Sequence, residues 1–166
     1  MYNRPEIHSI YASIVVNVGS LDEDKKNNGI SHFIEHLPFD GTRDLKSWEK
    51  VNDFQNDIAA QSNASTGYDA TRYFVEAPYQ YYDECLFYIS QLVFWPEYRE
   101  EDLKKEKGII IDEMKNYDDT IGHKSFMNVI ETRYESSQSS FSYDIIGTRD
   151  NLEDFSKEDI LKMRTQ

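Results

Sequence analysis

The sequence predicts an α+β domain, a two-layer sandwich in which helices pack on one face of a mixed or antiparallel sheet. Two stretches alternate apolar and polar residues as strands do, and several others space apolar residues as helices do. Strand, helices, strands and helices follow one another along the chain. Its 166 residues include 39% hydrophobic and 14% aromatic residues, enough for one core. We therefore predict a single domain over residues 1–166.

The first predicted elements are a strand and a short helix. Residues 9–19 (SIYASIVVNVG) alternate like a half-buried strand, and a polar loop follows over residues 20–29. From Ile30 the apolar residues fall at i, i+3, i+4 and i+7, which gives a helix one apolar face. Pro38 should stop this helix or bend its last turn, because proline has no N–H to donate.

In the middle of the chain, the residue pattern predicts a helix, then one or two strands, then a second helix. Apolar residues spaced by three predict a helix over residues 45–58. Residues 60–78 indicate two strands or one long bent strand, with Gly67 at a bulge or turn. Residues 79–95 are largely apolar and should form a helix that Pro96 closes.

A charged helix is predicted over residues 100–117, with Leu103, Ile110 and Met114 on one buried stripe. Gly108 weakens this helix and would allow close backbone packing. The remaining predictions are a helix over 120–135, a serine-rich loop over 136–148 and a helix start at Ser156, three residues before Asp159.

Composition excludes several classes of protein. The formal net charge of −13 argues against nucleic-acid binding, since phosphate contacts need clustered Lys and Arg. A single cysteine, Cys85, excludes a disulfide framework, and its apolar neighbours predict a buried, inert thiol. No apolar run reaches the roughly 20 residues of a membrane span, and residues 1–10 lack the apolar stretch of a signal peptide. We expect a soluble protein, cytoplasmic or organellar.

The stretch SHFIEH places His32, Glu35 and His36 within five positions of the first predicted helix. Residues four apart share a helix face, so both imidazoles can reach one Zn²⁺ ion. Glu35 lies close enough to act on a metal-activated water in this H-x-x-E-H arrangement. The alternative is an exposed polar helix face. S-ribosylhomocysteine lyases also carry H-x-x-E-H, but they need two cysteines, and this chain has one.

A catalytic zinc needs a third protein ligand, and the charged helix offers two carboxylates for it. Glu106 and Glu113 are seven residues apart, so both lie on one face of the helix, two turns from each other. For Glu106 the alternative is a solvated charge beside neighbouring lysines. His8 and His123 lack partners at a useful spacing and are expected in surface or loop positions.

Five motifs in order resemble one family over residues 18–160. They are VGSLDE, GISHFIEHLPFDGT, SNASTGYDATRYF, EKGIIIDE and DIIGTRDNLEDFSKEDI. In these motifs and their spacing, the chain is similar to the N-terminal part of the pitrilysin, insulysin and mitochondrial processing peptidase family, the inverzincins. The resemblance implies the processing-peptidase-like metallohydrolase fold.

The resemblance also implies a zinc endopeptidase that hydrolyses unstructured peptides. It makes His32, His36 and Glu113 the zinc ligands and Glu35 the general base for a metal-activated water. Glu106 becomes an acid that orients a histidine or tunes the site. Asn63 and Ala64 would lie on the strand edge that pairs with the backbone of the peptide substrate. The alternative is a non-catalytic or truncated subunit of the same fold that serves assembly or peptide binding.

Two features depart from the family. Pro38 stands where relatives let the helix continue, so the turn after His36 is expected to be distorted. We also expect the chain to correspond to only part of one domain, beginning after the first strand of the sheet and stopping before its last. Strands at an uncovered sheet edge have unpaired backbone N–H and C=O groups that can pair with another chain. We therefore expect a second domain, a partner subunit or a homo-oligomer. The chain alone should bind zinc and cleave peptides poorly.

Overall fold

A computed structural model describes residues 8–134 and 139–165. The predicted α+β class is confirmed, with an antiparallel three-stranded sheet. The predicted helix end at residue 135 and the loop residues 136–138 lie outside the described residues, and the single domain stays a prediction. Two compact units hold the described residues: 8–15, 38–64 and 72–97 in the first, and 16–37, 65–71, 98–134 and 139–165 in the second.

The sheet contains strands β1 (Ser9–Val16), β2 (Gln61–Thr66) and β3 (Thr71–Pro78) in the order β1-β3-β2. Residues 60–78 therefore form two strands, and Gly67 begins the turn between them, where its N–H donates to the Ala70 carbonyl at 2.8 Å. Exposed and half-buried residues alternate along β1, as the sequence predicts. Among the described residues, this order leaves β1 and β2 as edge strands.

Two helices complete the first unit, α2 (Trp48–Asp57) and α3 (Tyr82–Phe94). Helix α2 begins three residues later than predicted because the Ser47 side chain caps it, accepting from the Lys50 N–H. A 3₁₀ turn precedes α3. The Tyr88 hydroxyl of α3 lies 2.9 Å from the Ser62 hydroxyl of β2, and its ring stacks on Phe54 of α2.

Helix α1 (Ile30–His36) belongs to the second unit and is seven residues long. It ends at His36, and a 3₁₀ turn over Leu37–Asp40 follows, so the predicted stop at Pro38 is confirmed. The predicted apolar face is buried: Ile30, Phe33 and Leu37 are at most 1% exposed.

The other helices of the second unit are α4 (Glu100–Asp118), α5 (Ile121–Tyr134), α6 (Arg149–Asp154) and α7 (Lys157–Arg164). Helix α7 starts at a capping box of Ser156 and Asp159, as predicted. Helix α6 was not predicted; it has six residues, and the Thr148 side chain caps it. Within the described ranges, no helix has the length and apolar character to cross a lipid bilayer. The core of this unit contains Ile30, Phe33, Leu37, Tyr98, Leu103, Ile110, Ile146, Leu152, Phe155, Ile160 and Met163.

Gly108 corrects one expectation. We expected it to allow close backbone packing on α4, but a Cβ atom placed there meets no described atom within 4 Å outside the backbone of its own helix. Gly29 is the opposite case. Its φ of +95° is left-handed, and a Cβ there would lie 2.8 Å from the Gly147 Cα.

Gly108→Ala should therefore raise the free energy of unfolding by about 0.5–1 kcal/mol, because alanine favours the helix and meets no neighbour. Gly29→Ala is the matched variant and should lower the free energy of unfolding, because alanine at this position would have a strained backbone and would clash with a neighbour. Urea unfolding of both proteins measures the difference. A loss of stability in Gly108→Ala would contradict this reading of α4.

Candidate metal centre

The site is built on α1, whose N-terminus is fixed by a buried carboxylate. Glu23 is 4% exposed; its Oε2 accepts from the Gly29 N–H at 2.8 Å and the Asn28 side-chain amide at 3.1 Å. Its Oε1 accepts from the Ser31 N–H at 2.8 Å. The first N–H groups of a helix have no partner within the helix, so Glu23 satisfies donors that burial would otherwise leave unpaired.

Helix α4 lies beside α1 in the second unit and brings a carboxylate to the two imidazoles. The Nε2 atoms of His32 and His36 are 3.3 Å apart. Oε2 of Glu113 lies 3.8 Å from the first nitrogen and 3.6 Å from the second. The structure thus brings together the three side chains that the resemblance makes zinc ligands, although they span 81 positions of sequence.

These separations suit one tetrahedral metal ion. Ligand atoms at 2.0–2.1 Å from a tetrahedral zinc are about 3.3 Å from each other. The observed triangle, with sides of 3.3, 3.6 and 3.8 Å, is close to that size. Two imidazoles and one carboxylate are also a donor set that zinc takes in catalytic sites. The residues present therefore fit zinc.

The histidines are not an exposed polar surface. The His32 side chain is 12% exposed and that of His36 is 23% exposed. Burial, followed by the charge of His36, lowers the pKa of His32 from 6.5 to about 3. His32 is therefore neutral at physiological pH, with a lone pair available for a metal.

Glu106 contacts His36 directly. Its Oε2 lies 3.1 Å from Nδ1 of His36, on the ring side opposite the Nε2 atom that faces Glu113. Burial lowers the pKa of His36, but the hydrogen bond and charge of Glu106, with the charges of Glu35 and Glu113, raise it more. Because Glu106 is 6% exposed, it is not the solvated charge of the alternative interpretation.

Glu35 is 8% exposed and has one close hydroxyl partner, Thr66 at the end of β2. The Thr66 hydroxyl donates to Oε2 of Glu35 at 2.5 Å. Burial raises the pKa of Glu35; the Thr66 hydrogen bond and the charge of His36 oppose this shift, and the charge of Glu113 adds to it. A carboxyl group with a raised pKa is suited to accept and release a proton near neutral pH.

Asn63 and Ala64 lie in β2, in the first unit, and β2 is an edge strand. Asn63 is exposed and Ala64 is half-buried. Their role in pairing with a peptide backbone stays a prediction.

The sequence analysis did not predict the contacts made by three residues. Glu23 and Thr66 stand inside the motifs VGSLDE and SNAST, and their presence there was the only signal. His123 was expected to lack a partner, but it lies on α5 with Nε2 2.6 Å from Oδ2 of Asp144, and its ring contacts Tyr117. Since 21 positions separate His123 from Asp144, no local pattern indicates the pair.

An α+β fold that brings the H-x-x-E-H histidines to a distant glutamate is typical of zinc-dependent peptidases. A family model for insulinase (peptidase family M16) matches residues 1–144. The chain belongs to this family, which confirms the resemblance drawn from its motifs.

Curated and solved relatives agree with this assignment. The chain is 28% identical over 158 residues to an uncharacterized zinc protease, YmxG, of Bacillus subtilis; the match covers 95% of this chain and 38% of that protein. A putative M16-like peptidase from Alicyclobacillus acidocaldarius has a TM-score of 0.83 at 25% identity, covering 96% of this chain and 38% of that one.

A further solved structure has the same fold at lower identity. An M16 inactive domain from Pseudomonas fluorescens has a TM-score of 0.83 at 11% identity, covering 95% of this chain and 38% of that one. This likeness concerns the fold alone. The chain spans about 38% of the length of each of these three proteins.

His32→Gln should change how stability depends on pH in the metal-free protein. The pKa of folded His32, about 3, lies below its ordinary 6.5, so between these values the unfolded state binds more protons. Wild-type stability should therefore fall relative to the variant between pH 7 and pH 5, by at most about 2 kcal/mol.

Urea unfolding of chelator-treated protein at both pH values measures this change. His8→Gln, at an exposed histidine, is the control and should leave the pH dependence of the wild type unaltered. If the free energies of unfolding of wild type and His32→Gln differed by the same amount at pH 7 and pH 5, the assignment of a neutral, buried imidazole would be contradicted.

Proposed function

We propose that this chain is the metal-binding part of a zinc metalloendopeptidase that hydrolyses unstructured peptides. The observation that carries the proposal is the triangle formed by Nε2 of His32, Nε2 of His36 and Oε2 of Glu113, with sides of 3.3 to 3.8 Å. Membership of the insulinase family and the similarity to proteins named zinc proteases support it.

His32, His36 and Glu113 would hold the zinc ion. When bound, zinc supplies positive charge that polarises a peptide carbonyl and lowers the pKa of a water molecule to about 7. The carboxylates of Glu35, Glu106 and Glu113 all lie near the histidines. A bound cation would offset the repulsion between these carboxylates. Glu106 would position His36: by accepting from Nδ1–H, it leaves the Nε2 lone pair for the metal.

Glu35 would act as the general base. It takes a proton from the water that adds to the carbonyl carbon of the scissile peptide. It then gives that proton to the amine nitrogen as the carbon–nitrogen bond breaks. Burial of Glu35 supports this role, because a raised carboxyl pKa brings proton uptake and proton release closer in energy.

The substrate would bind as an extended strand. Edge strand β2 has backbone groups that can pair with a peptide irrespective of its sequence, and we assign Asn63 and Ala64 to that edge. Only a peptide without folded structure can add to a sheet in this way, so unstructured peptides are the substrate class.

Further domains or a partner subunit would complete the enzyme. The chain spans about 38% of its relatives' length, and two strands of its sheet are edges. We expect the chain alone to bind zinc tightly and to cleave peptides slowly, because groups that hold the substrate would come from elsewhere.

A non-catalytic role is the second candidate. The observation that favours it is the Pseudomonas fluorescens structure, which has the same fold and is described as an inactive domain. In that case the chain would serve assembly or peptide binding, with or without a metal.

Glu35→Gln separates the two candidates. The variant should keep its zinc, since Glu35 is not among the three metal-binding side chains, and should lose at least 100-fold in cleavage rate, because glutamine cannot accept the proton. Metal analysis and mass spectrometry of unstructured peptides, incubated for hours with concentrated protein, measure both properties. Glu101→Gln, at an exposed position of α4, is the control.

Three results would change this proposal. Equal cleavage by wild type and Glu35→Gln would remove the general-base role. Zinc binding with no cleavage by either protein would favour the non-catalytic candidate. Rapid turnover by a monodisperse monomer would contradict the need for further domains.

Glu106→Gln should weaken zinc binding about tenfold, because the amide is a poorer partner for His36 Nδ1 than the carboxylate. Competition with a chromogenic chelator measures the zinc affinity. Glu100→Gln, another exposed glutamate on α4, should leave it unchanged. An unaltered affinity in Glu106→Gln would mean that the buried pair does not act on the metal.

A further inference from the structure

Two threonine hydroxyls form a short chain that ends on Glu35. Thr66 closes β2 and Thr71 opens β3, and both belong to the second unit, as Glu35 does. The Thr66 hydroxyl lies 2.5 Å from Oε2 of Glu35 and 3.4 Å from the Thr71 hydroxyl. The Thr71 hydroxyl in turn lies 3.0 Å from the Val18 carbonyl.

The protons of this chain can be assigned. Each hydroxyl has one proton, and the Val18 carbonyl can only accept, so Thr71 donates to Val18. A carboxylate also can only accept, so Thr66 donates to ionised Glu35. The lone pairs of the Thr71 oxygen then remain available to Thr66 at 3.4 Å.

With its proton directed at Oε2 of Glu35, the Thr66 hydroxyl gives this buried carboxylate a fixed donor.

We propose that Thr66 is a positioning residue for Glu35: its hydroxyl holds the carboxylate in one place through the 2.5 Å hydrogen bond. The inference rests on the proposed function, in which Glu35 is the general base. Thr71 lies 3.4 Å from the Thr66 hydroxyl and is itself fixed by its hydrogen bond to the Val18 carbonyl.

The turn between the strands does not need the Thr66 side chain. Its backbone closes through Gly67 N–H to the Ala70 carbonyl at 2.8 Å. Its outer carbonyls, on Gly67 and Tyr68, accept from the N–H groups of Ser20 and Leu21 at 3.1 and 2.8 Å. The hydroxyl is therefore explained better by its contact with Glu35 than by the shape of the turn.

The test uses acetohydroxamic acid, a small zinc-directed ligand. Its hydroxyl is a donor that the Glu35 carboxylate can accept, so its affinity reports how Glu35 is held even if turnover is slow. Calorimetry on the zinc-loaded chain compares wild type with Thr66→Val, Thr66→Ser and Thr132→Val, an exposed threonine of α5. Zinc affinity is measured on each protein first.

Thr66→Val should bind the hydroxamate about tenfold more weakly, since a hydrogen bond to a charged group is lost. Its zinc affinity should stay within about twofold of wild type. Thr66→Ser keeps the hydroxyl and should bind the hydroxamate like wild type, as should Thr132→Val. In a Glu35→Gln background, Thr66→Val should have no further effect, because the carboxylate that Thr66 positions is already absent.

Several results would overturn the inference. The first is that Thr66→Val binds the hydroxamate as tightly as wild type. The second is that Thr66→Ser loses as much hydroxamate affinity as Thr66→Val. The third is that Thr66→Val loses zinc affinity and hydroxamate affinity in parallel. Failure of the proposed function is visible separately: wild type would bind no zinc, or would bind zinc but no hydroxamate. The inference would fall with it.

Discussion

Three nitrogen and oxygen atoms on two helices approach one another closely, and the proposed metal site depends on this approach. Nε2 of His32, Nε2 of His36 and Oε2 of Glu113 lie within 3.8 Å of one another, in partly buried positions. Lone pairs directed at one small volume repel each other unless a proton or a cation lies between them. The fold keeps them there through apolar packing: Ile30 and Phe33 of α1 share one core with Leu103 and Ile110 of α4.

The backbone around α1 gives this short helix a fixed place. A helix of seven residues is marginal by itself, so its ends must be held by neighbours. The Glu23 carboxylate accepts from two backbone N–H groups at the N-terminus, and Gly29 and Gly147 approach so closely that neither position has room for a Cβ. At the other end, Glu106 contacts the last histidine. Residues outside the proposed ligand set thus hold both ends of the helix that carries the two imidazoles.

Much of this arrangement could be predicted from local sequence. The apolar spacing from Ile30 predicted α1, the stripe containing Leu103 and Ile110 predicted α4, and the spacing of His32 and His36 predicted a shared face. Glu113 could be selected over Glu106 as the third proposed zinc ligand only through the family resemblance, because both lie on one face of α4.

The rest depends on contacts that periodicity does not encode. Glu23 lies in a loop and Thr66 at the end of a strand, and each makes a hydrogen bond to α1 or to the residue before it. The contact between His123 and Asp144 likewise joins α5 to a distant loop. Helix α6 is too short to show a period. Gly108 was misread because helix spacing gives the face of a residue but not whether another element covers it.

X-ray absorption spectroscopy of the zinc-loaded chain would identify the side chains that hold the metal. A metal centre formed by α1 and α4 predicts scattering from two imidazole rings and from oxygen, with first distances of about 2.0–2.2 Å and no sulfur, since Cys85 is fully buried. The imidazole signal should halve in His32→Gln or His36→Gln. A spectrum with sulfur, or one whose imidazole signal survives both substitutions, would contradict a metal centre formed by α1 and α4.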